Sequence, residues 1–298
     1  MSATVIEQNN MRAIGLMVLS MAMFAVEDML IKLTTATLGV GQIMLVLAVF
    51  GAAAFSLMAW RSGTKLLTRD LLDRAVMVRN LGEIVGTIGF VTALALVPIS
   101  VASAILQATP LAVTMGAAIF LREPVGWRRW TAIIVGFAGV MLIIRPGFAG
   151  FDANALFAVI GVAGLAARDL ATRALPAAIT SAQVSAYAYW ALIPPALVLM
   201  MLDGGWRPVE GAAIAYLCAA VVIGVFAYYI LTHAIRIGDL SVIAPFRYSR
   251  LLFALLVGFF VFAERPDLPV LAGSALVIAT GVYALYRERV RKGRIETA

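Results

Sequence analysis

Long apolar runs decide what this chain can fold into. The run AIGLMVLSMAMFAV at residues 13–26 continues to residue 34, and similar runs occupy 39–60, 98–120 and 211–232. Each reaches the roughly 20 residues that an α-helix needs to cross the hydrocarbon core of a bilayer. Only 13% of the chain is charged, whereas about a quarter is usual in soluble domains. The sequence therefore predicts a polytopic, all-α membrane protein.

Hydropathy divides the chain into ten predicted membrane spans, numbered here in chain order. They lie near residues 12–33, 39–60, 75–96, 98–120, 129–145, 153–173, 181–202, 210–233, 241–262 and 269–287.

Basic residues are concentrated in alternate connections, including Arg61, Lys65, Arg69, Arg74, Arg122, Arg128 and Arg129. Such connections normally face the cytoplasm. This pattern predicts a multi-pass protein of the cell inner membrane with both termini cytoplasmic. The net charge of +7 then lies at the inner membrane surface, and no nucleic-acid motif accompanies it.

An internal repeat relates the two halves of the chain. The stretch VEDMLIK at residues 26–32 is followed 141 residues later by ARDLATR at 167–173, and both place an acid four residues before a base. The same offset pairs Gln42 with Gln183, Ala93 with Ala234, Ser100 with Ser241 and Glu123 with Glu264. Each half holds five spans, an odd number, so the second half enters the membrane from the opposite side. The sequence thus predicts two inverted repeats, residues 1–149 and 150–298, a construction common in secondary transporters.

Two matching segments carry a family resemblance. Residues 95–143 begin ALVPISVASAILQATPL, and residues 240–285 begin LSVIAPFRYSRLLFALL. Each segment contains a small-residue span with a proline, then a glutamate, a short loop and a glycine-rich span. The paired positions are Pro110 and Pro245, Glu123 and Glu264, and Gly139 and Gly281. This pattern resembles the EamA-type module of the drug/metabolite transporter superfamily, and it occurs twice.

The resemblance implies a fold and a function class. The implied fold has ten transmembrane helices, arranged as two inverted five-helix repeats around a central cavity. The implied function is secondary transport of small solutes. Within the superfamily, the chain most resembles bacterial exporters of amino acids and metabolites, including aromatic amino-acid exporters.

Ionisable and polar residues inside the spans are the candidate substrate-binding groups. Such residues cost several kcal/mol in a bilayer, so they usually face a bundle interior or a wet cavity. The candidates are Arg79, Asn80 and Glu83 in span 3, Gln107 in span 4, Arg247 and Tyr248 in span 9, Glu27 in span 1 and Tyr228 in span 8. Arg247 is a candidate for a substrate carboxylate, and Gln107 for the other end of a zwitterion. Alternatively, Arg79 and Glu83 neutralise each other within their helix.

Other features have structural interpretations. The pairs Asp28–Lys32 and Asp169–Arg173 have the favourable acid-first spacing of helix ion pairs. Tyr187, near the start of span 7, is expected to anchor that span at the membrane interface. The prolines of spans 4, 7 and 9, namely Pro110, Pro194, Pro195 and Pro245, each remove a backbone hydrogen bond inside a span.

The residue inventory argues against other functional classes. An enzyme site would need a nucleophile with a base, or a set of metal ligands, but the chain has one histidine, the lone Cys218 and no metal-binding helix motif. It also has no phosphate-binding GxxxxGK[ST] loop. We therefore expect no enzyme activity, no cofactor and no metal.

The sequence predicts a transporter that exports amino acids, including aromatic and other hydrophobic ones, or similar small metabolites, by alternating access. The alternatives are an importer or exchanger of another small metabolite or drug, and an intramembrane enzyme. The expected partners are the small-molecule substrate and the lipid bilayer, and the expected functional unit is a monomer.

Overall fold

The computed structural model describes residues 3–148, 150–176, 178–237 and 240–296, and this part of the chain is helical, without a β-strand. Ten helical stretches are long and apolar enough to cross a membrane. Spans 1–10 are Asn10–Thr34, Val40–Arg61, Arg74–Leu96, Ile99–Phe120, Trp127–Ile144, Ala155–Arg173, Ser181–Leu202, Ala212–Ile235, Ala244–Phe262 and Leu268–Arg287. The predicted all-α membrane fold with ten spans is confirmed, with boundaries that differ by a few residues.

The chain packs as two compact units. The first unit comprises Met1–Val26, Pro98–Ala153 and Phe226–Ala298, and the second comprises Glu27–Val97 and Asn154–Val225. Each unit takes helices from both halves of the sequence. The division into repeats at residue 149, which itself lies outside the described residues, follows sequence similarity and not packing. It stays a prediction.

Within the units, spans pack against their partners in the repeat. Span 2 packs against span 7 in the second unit, whereas span 4 packs against span 9 and span 5 against span 10 in the first. The 141-residue offset relates span 2 to span 7 and span 4 to span 9, and with one inserted residue an offset of 142 relates span 5 to span 10. Inverted repeats are related by a pseudo-two-fold axis, and helices near such an axis meet their own counterparts. Spans 3 and 6, which are not counterparts in the repeat, also pack together in the second unit. The inverted repeat stays a prediction.

Glycines let spans 3 and 6 approach until their backbones touch. A Cβ atom added to Gly164 of span 6 would lie 2.2 Å from the backbone nitrogen of Gly86 in span 3. A Cβ added to Gly82 would lie 2.6 Å from the backbone nitrogen of Arg168. Small residues at such crossings are a common means of association between membrane helices, because van der Waals packing replaces the hydrophobic effect there. This crossing places the charged residues of span 3 beside those of span 6.

Leucine in place of Gly164 is expected to separate spans 3 and 6 and to destabilise the fold. Overpacking costs typically 1–3 kcal/mol, and we expect the upper end, about 3 kcal/mol, because the obstacle is backbone. Thermal unfolding of the purified protein and size-exclusion chromatography would measure the loss. Gly15→Leu is the matched control, since a Cβ at Gly15 meets nothing within 4 Å. Wild-type stability of Gly164→Leu would contradict direct backbone contact.

Spans 4 and 9 are each interrupted. Span 4 consists of the helices Ile99–Leu106 and Thr109–Phe120, and Pro110 lies in the first turn of the second. Span 9 follows the short helix Leu240–Ile243. It begins as a 3-10 segment, Ala244–Tyr248, that contains Pro245, and it becomes α-helical at Ser249–Phe262. Span 7 remains a single helix through Pro194 and Pro195. Prolines thus coincide with breaks in spans 4 and 9 only.

Glu264, just beyond span 9, fixes the start of span 4. Its carboxylate accepts hydrogen bonds from the backbone nitrogens of Ile99 at 2.7 Å and Ser100 at 3.0 Å, and from the Ser100 hydroxyl at 2.7 Å. The first amides of a helix have no partner within the helix, and a negative charge is favourable there. This contact gives a structural reason for one glutamate of the repeated pattern.

Candidate functional site

The breaks of spans 4 and 9 are joined by a hydrogen bond between two predicted site residues. Gln107 Nε2 donates to the backbone oxygen of Arg247 at 3.3 Å. Gln107 directly follows the first helix of span 4, and Arg247 lies in the 3-10 segment of span 9. Interrupted membrane helices are where many transporters expose backbone dipoles to their substrates. The structure therefore brings Gln107 and Arg247 together at a place suited to bind a polar solute.

The guanidinium of Arg247 has no counter-charge among the residues that the structure describes. The residue is half-buried in its span. It makes no side-chain hydrogen bond or ion pair with any residue that the structure describes. An ionised group inside a membrane span is costly unless it is paired or hydrated. A guanidinium can bind a carboxylate through two parallel hydrogen bonds. The arrangement around Arg247 is therefore suited to an anionic group of a solute.

Arg250, one turn further along span 9, has a different environment. Its guanidinium carbon lies 5.1 Å from the centroid of the Phe24 ring in span 1. At this distance the ring face attracts a cation, an interaction worth roughly 0.5–2 kcal/mol. Arg250 thus has an aromatic partner, whereas Arg247 has none in the described part of the chain.

Tyr248 points away from the break and into the helix packing. Its side chain is buried, and its hydroxyl occupies the space beside Gly281 of span 10, where an added Cβ would collide with it. Because Tyr248 packs against span 10, it helps to hold the 3-10 segment of span 9 in place. Its predicted contact with substrate stays a prediction.

The second unit contains a chain of four alternating charges. Arg79 Nη2 lies 3.4 Å from Glu83 Oε2, and Glu83 Oε1 lies 3.3 Å from Arg168 Nη1 of span 6. Arg168 Nη2 in turn lies 2.8 Å from Asp169 Oδ1. The ion pair of Arg79 and Glu83 within one helix is confirmed. Because two positive and two negative groups alternate, each charge has an opposite neighbour, which lowers the cost of holding them in a membrane span.

Arg79 is the most buried member of this network. Only 4% of the residue is exposed, and its Nη1 approaches Asn80 Oδ1 and the backbone oxygen of Val184, each at 3.5 Å. The structure thus groups the three predicted residues of span 3, Arg79, Asn80 and Glu83, around one guanidinium. Whether they line a solute path stays a prediction.

Sequence reasoning did not identify Arg168 as the partner of Glu83. The two residues are 85 positions apart, so no helical spacing relates them. One weak signal existed, since Arg168 is the counterpart of Glu27 at the 141-residue offset, next to the paired acids Asp28 and Asp169.

Residues of both repeated acid–base pairs make hydrogen bonds. Lys32 Nζ donates to the backbone oxygens of Leu94 at 2.8 Å and Val97 at 2.6 Å. These carbonyls belong to the end of span 3, where a cation is favourable. In the second half, Asp169 accepts a hydrogen bond from Arg168 Nε at 2.8 Å.

Glu27 and Tyr228 are the two remaining predicted site residues. Glu27 lines a small cavity of the second unit, together with Leu47, Gly51, Tyr189, Val221, Gly224 and Val225. A Cβ added to Gly224 would lie 2.3 Å from Glu27 Oε1, so glycine makes room for the carboxylate. Tyr228 is half-buried in span 8. Among the described residues, no group of three His, Cys, Asp or Glu side chains could hold a metal ion.

Comparison with known proteins identifies a family domain in the first half of the chain. Residues 11–145 match the EamA-like transporter family. They form an EamA domain of the drug/metabolite transporter superfamily, and the names of the family and of the relatives point to a membrane transporter. A solved crystal structure covers 95% of this chain and 99% of its own chain, with a TM-score of 0.59 and 17% sequence identity. At that identity, the likeness supports the fold alone.

The curated relatives of this chain are named for three kinds of solute. It is 25% identical over 218 residues to the S-adenosylmethionine uptake transporter of Rickettsia felis, covering 73% of this chain and 74% of the relative. It is 29% identical over 207 residues to the riboflavin transporter of Rhizobium johnstonii, covering 70% and 68%. It is 23% identical over 279 residues to the pseudopaline exporter CntI of Pseudomonas aeruginosa, covering 93% and 96%.

Proposed function

We propose that this EamA-family transporter exports amino acids, including aromatic and other hydrophobic ones, or similar small metabolites, as a monomer that works by alternating access. The observation that carries the proposal is the Arg247 guanidinium, half-buried in a membrane span without a described protein partner. Its geometry suits a carboxylate. Gln107 Oε1, at the same pair of helix breaks, accepts no hydrogen bond from a described residue and is an acceptor for an ammonium group.

The chemistry of the relatives' substrates supports this class of solute. S-adenosylmethionine, named for the Rickettsia felis relative, carries an α-amino-acid end and an adenine ring. Riboflavin, named for the Rhizobium johnstonii relative, carries a planar ring system. A solute with an amino-acid end and a flat apolar ring combines these features, and aromatic amino acids are the smallest common example.

The relatives support both directions of transport. The pseudopaline exporter aligns over 93% of this chain and supports export. The S-adenosylmethionine relatives are uptake transporters. They favour a second candidate function, namely import or exchange of another small metabolite or drug.

An efflux experiment separates export from import. Bacterial cells that express the transporter and hydrolyse a phenylalanine-containing dipeptide are expected to release free phenylalanine several-fold faster than cells with an empty vector. Cells that express Arg247→Gln should behave like the empty vector, and cells that express Arg265→Gln, altered in an exposed connection, should behave like wild type. Faster accumulation of external phenylalanine without faster release would show import and overturn the proposed direction.

We also propose that both termini face the cytoplasm. The supporting observation is the uneven distribution of Lys and Arg over the connections. In a Cys218→Ala background, cysteines at Glu210 and Arg265 are expected to react with an impermeant thiol reagent added outside intact cells. Cysteines at Lys65 and Trp127 should react only after permeabilisation. All four positions are exposed in the structure, so the reverse labelling pattern would invert the orientation.

A further inference from the structure

The connection between spans 2 and 3, residues 61–74, presents a basic and apolar surface. Its four basic residues, Arg61, Lys65, Arg69 and Arg74, are all exposed. Leu67 is 86% exposed and Leu72 is 77% exposed, although neither lies within a membrane span. Both leucines and the four cations belong to one short segment, called here the 61–74 connection. The EamA-family assignment explains neither feature.

Span 7 holds the 61–74 connection in a fixed conformation. The Tyr187 hydroxyl donates to the backbone oxygen of Leu66 at 2.7 Å. Gln183 Nε2 donates to the backbone oxygen of Lys65 at 3.1 Å and approaches the Thr68 hydroxyl at 3.4 Å. Residues 66 and 68 are half-buried, and residues 65, 67 and 69 are exposed. The alternation places Lys65, Leu67 and Arg69 on the free side of the segment.

The two acidic residues of the 61–74 connection accept hydrogen bonds from neighbouring residues. Asp70 accepts from the Thr68 hydroxyl at 2.7 Å. Asp73 caps span 3 by accepting from the backbone nitrogens of Ala75 at 2.8 Å and Val76 at 3.4 Å. By contrast, none of the four basic side chains makes a hydrogen bond or ion pair with a residue in the described part of the chain. With four basic and two acidic residues, the connection carries a net charge of +2. Its basic side chains are therefore the groups available to a negatively charged partner.

The depth of the 61–74 connection points to lipid as that partner. The segment begins directly after Trp60, which is 73% exposed at the end of span 2, and it ends at the first residue of span 3. Tryptophan is enriched at the level of lipid headgroups. A segment tied to two span ends lies at that level, where basic side chains meet phosphates and exposed leucines enter the acyl boundary.

We propose that the 61–74 connection is a binding surface for anionic phospholipid headgroups. Its cations contact the headgroup phosphates, and Leu67 and Leu72 insert at the boundary with the acyl chains. The leucines favour a phospholipid over a soluble phosphate, because a free phosphate would leave them in water. The proposal does not depend on the solute that the transporter carries.

The test measures the thermal unfolding of purified, full-length transporter in detergent with three additives. Phosphatidylglycerol is expected to raise the unfolding midpoint in a concentration-dependent way. Phosphatidylcholine with the same acyl chains, and soluble glycerol phosphate, should not. Lys65→Gln combined with Arg69→Gln is expected to weaken the apparent affinity for phosphatidylglycerol on the order of tenfold. Arg12→Gln combined with Arg128→Gln removes two other exposed cations and should leave that affinity unchanged.

Several results would overturn the proposal. They are an unchanged affinity in the Lys65 and Arg69 variant, an equal loss in the Arg12 and Arg128 control, or equal stabilisation by glycerol phosphate. Native mass spectrometry provides a reading that does not depend on stability, because it counts phosphatidylglycerol molecules on the folded protein. We expect fewer retained molecules on the Lys65 and Arg69 variant than on the control, and equal numbers would also refute the proposal.

Discussion

Replacing Arg247 with lysine is expected to lower amino-acid flux at least several-fold, while expression and the thermal unfolding midpoint stay near wild type. Lysine keeps the positive charge but cannot form the two parallel hydrogen bonds that a guanidinium makes with a carboxylate. Stability should be preserved because the Arg247 side chain has no hydrogen bond or ion pair to lose among the described residues. Flux into proteoliposomes and thermal unfolding of the same preparation measure the two effects.

A substrate without a carboxylate provides the internal control for Arg247. Phenylalanine amide, if it is carried, should be affected much less than phenylalanine by the change to lysine. Arg265→Lys, a charge-preserving change in an exposed connection, should alter neither flux. Equal loss for both substrates, or an unstable Arg247→Lys protein, would show that Arg247 is a structural charge and that carboxylate binding must be abandoned.

Replacing Glu83 with glutamine is expected to destabilise the protein by about 3 kcal/mol, because removing one partner of a buried ion pair leaves the other charge uncompensated. Glu83 contacts both Arg79 and Arg168, whereas Asp169 contacts only Arg168 in the network. The substitution therefore leaves Arg79, which is 4% exposed, without a carboxylate in the network. Thermal or denaturant unfolding measures the loss, with the exposed Glu210→Gln as the matched control.

The double variant Arg79→Gln with Glu83→Gln decides what the network does. It removes one charge of each sign and leaves Arg168 paired with Asp169, so stability should recover relative to Glu83→Gln alone. A double-mutant cycle isolates the interaction between the two residues. Normal transport by a stable double variant would mean that the pair is structural, and weak transport would place it on the solute path. Wild-type stability of Glu83→Gln would contradict the role of the network in the fold.

Much of the fold follows from local sequence patterns. The spans could be placed to within a few residues because each is a continuous apolar run of the length that a bilayer requires. The pair of Arg79 and Glu83 follows from its spacing of one helical turn. Pro110 and Pro245 lie at or next to the breaks of spans 4 and 9 because proline removes a helix hydrogen bond.

Features that depend on distant contacts could not be predicted in the same way. Pro194 and Pro195 have the same local effect, yet span 7 stays helical. Tyr187 is 1% exposed, and its hydroxyl donates to the backbone carbonyl of Leu66, 121 residues away. Its expected place at the membrane interface stays a prediction. The contact between Arg168 and Glu83 likewise depends on the glycine-mediated crossing of spans 3 and 6. A single sequence shows the residues of such contacts but not their partners.

Solute counterflow in proteoliposomes tests the central proposal most directly. Vesicles that contain purified transporter and a high internal concentration of unlabelled phenylalanine are diluted into trace labelled phenylalanine, without nucleotide. We expect transient accumulation of the label in vesicles with wild-type protein, and none with folded Arg247→Gln. S-adenosylmethionine and riboflavin inside the vesicles, in place of phenylalanine, would compare the relatives' substrates as exchange partners. Absence of counterflow with phenylalanine, or equal counterflow by wild type and Arg247→Gln, would contradict an amino-acid transporter that binds its substrate through Arg247.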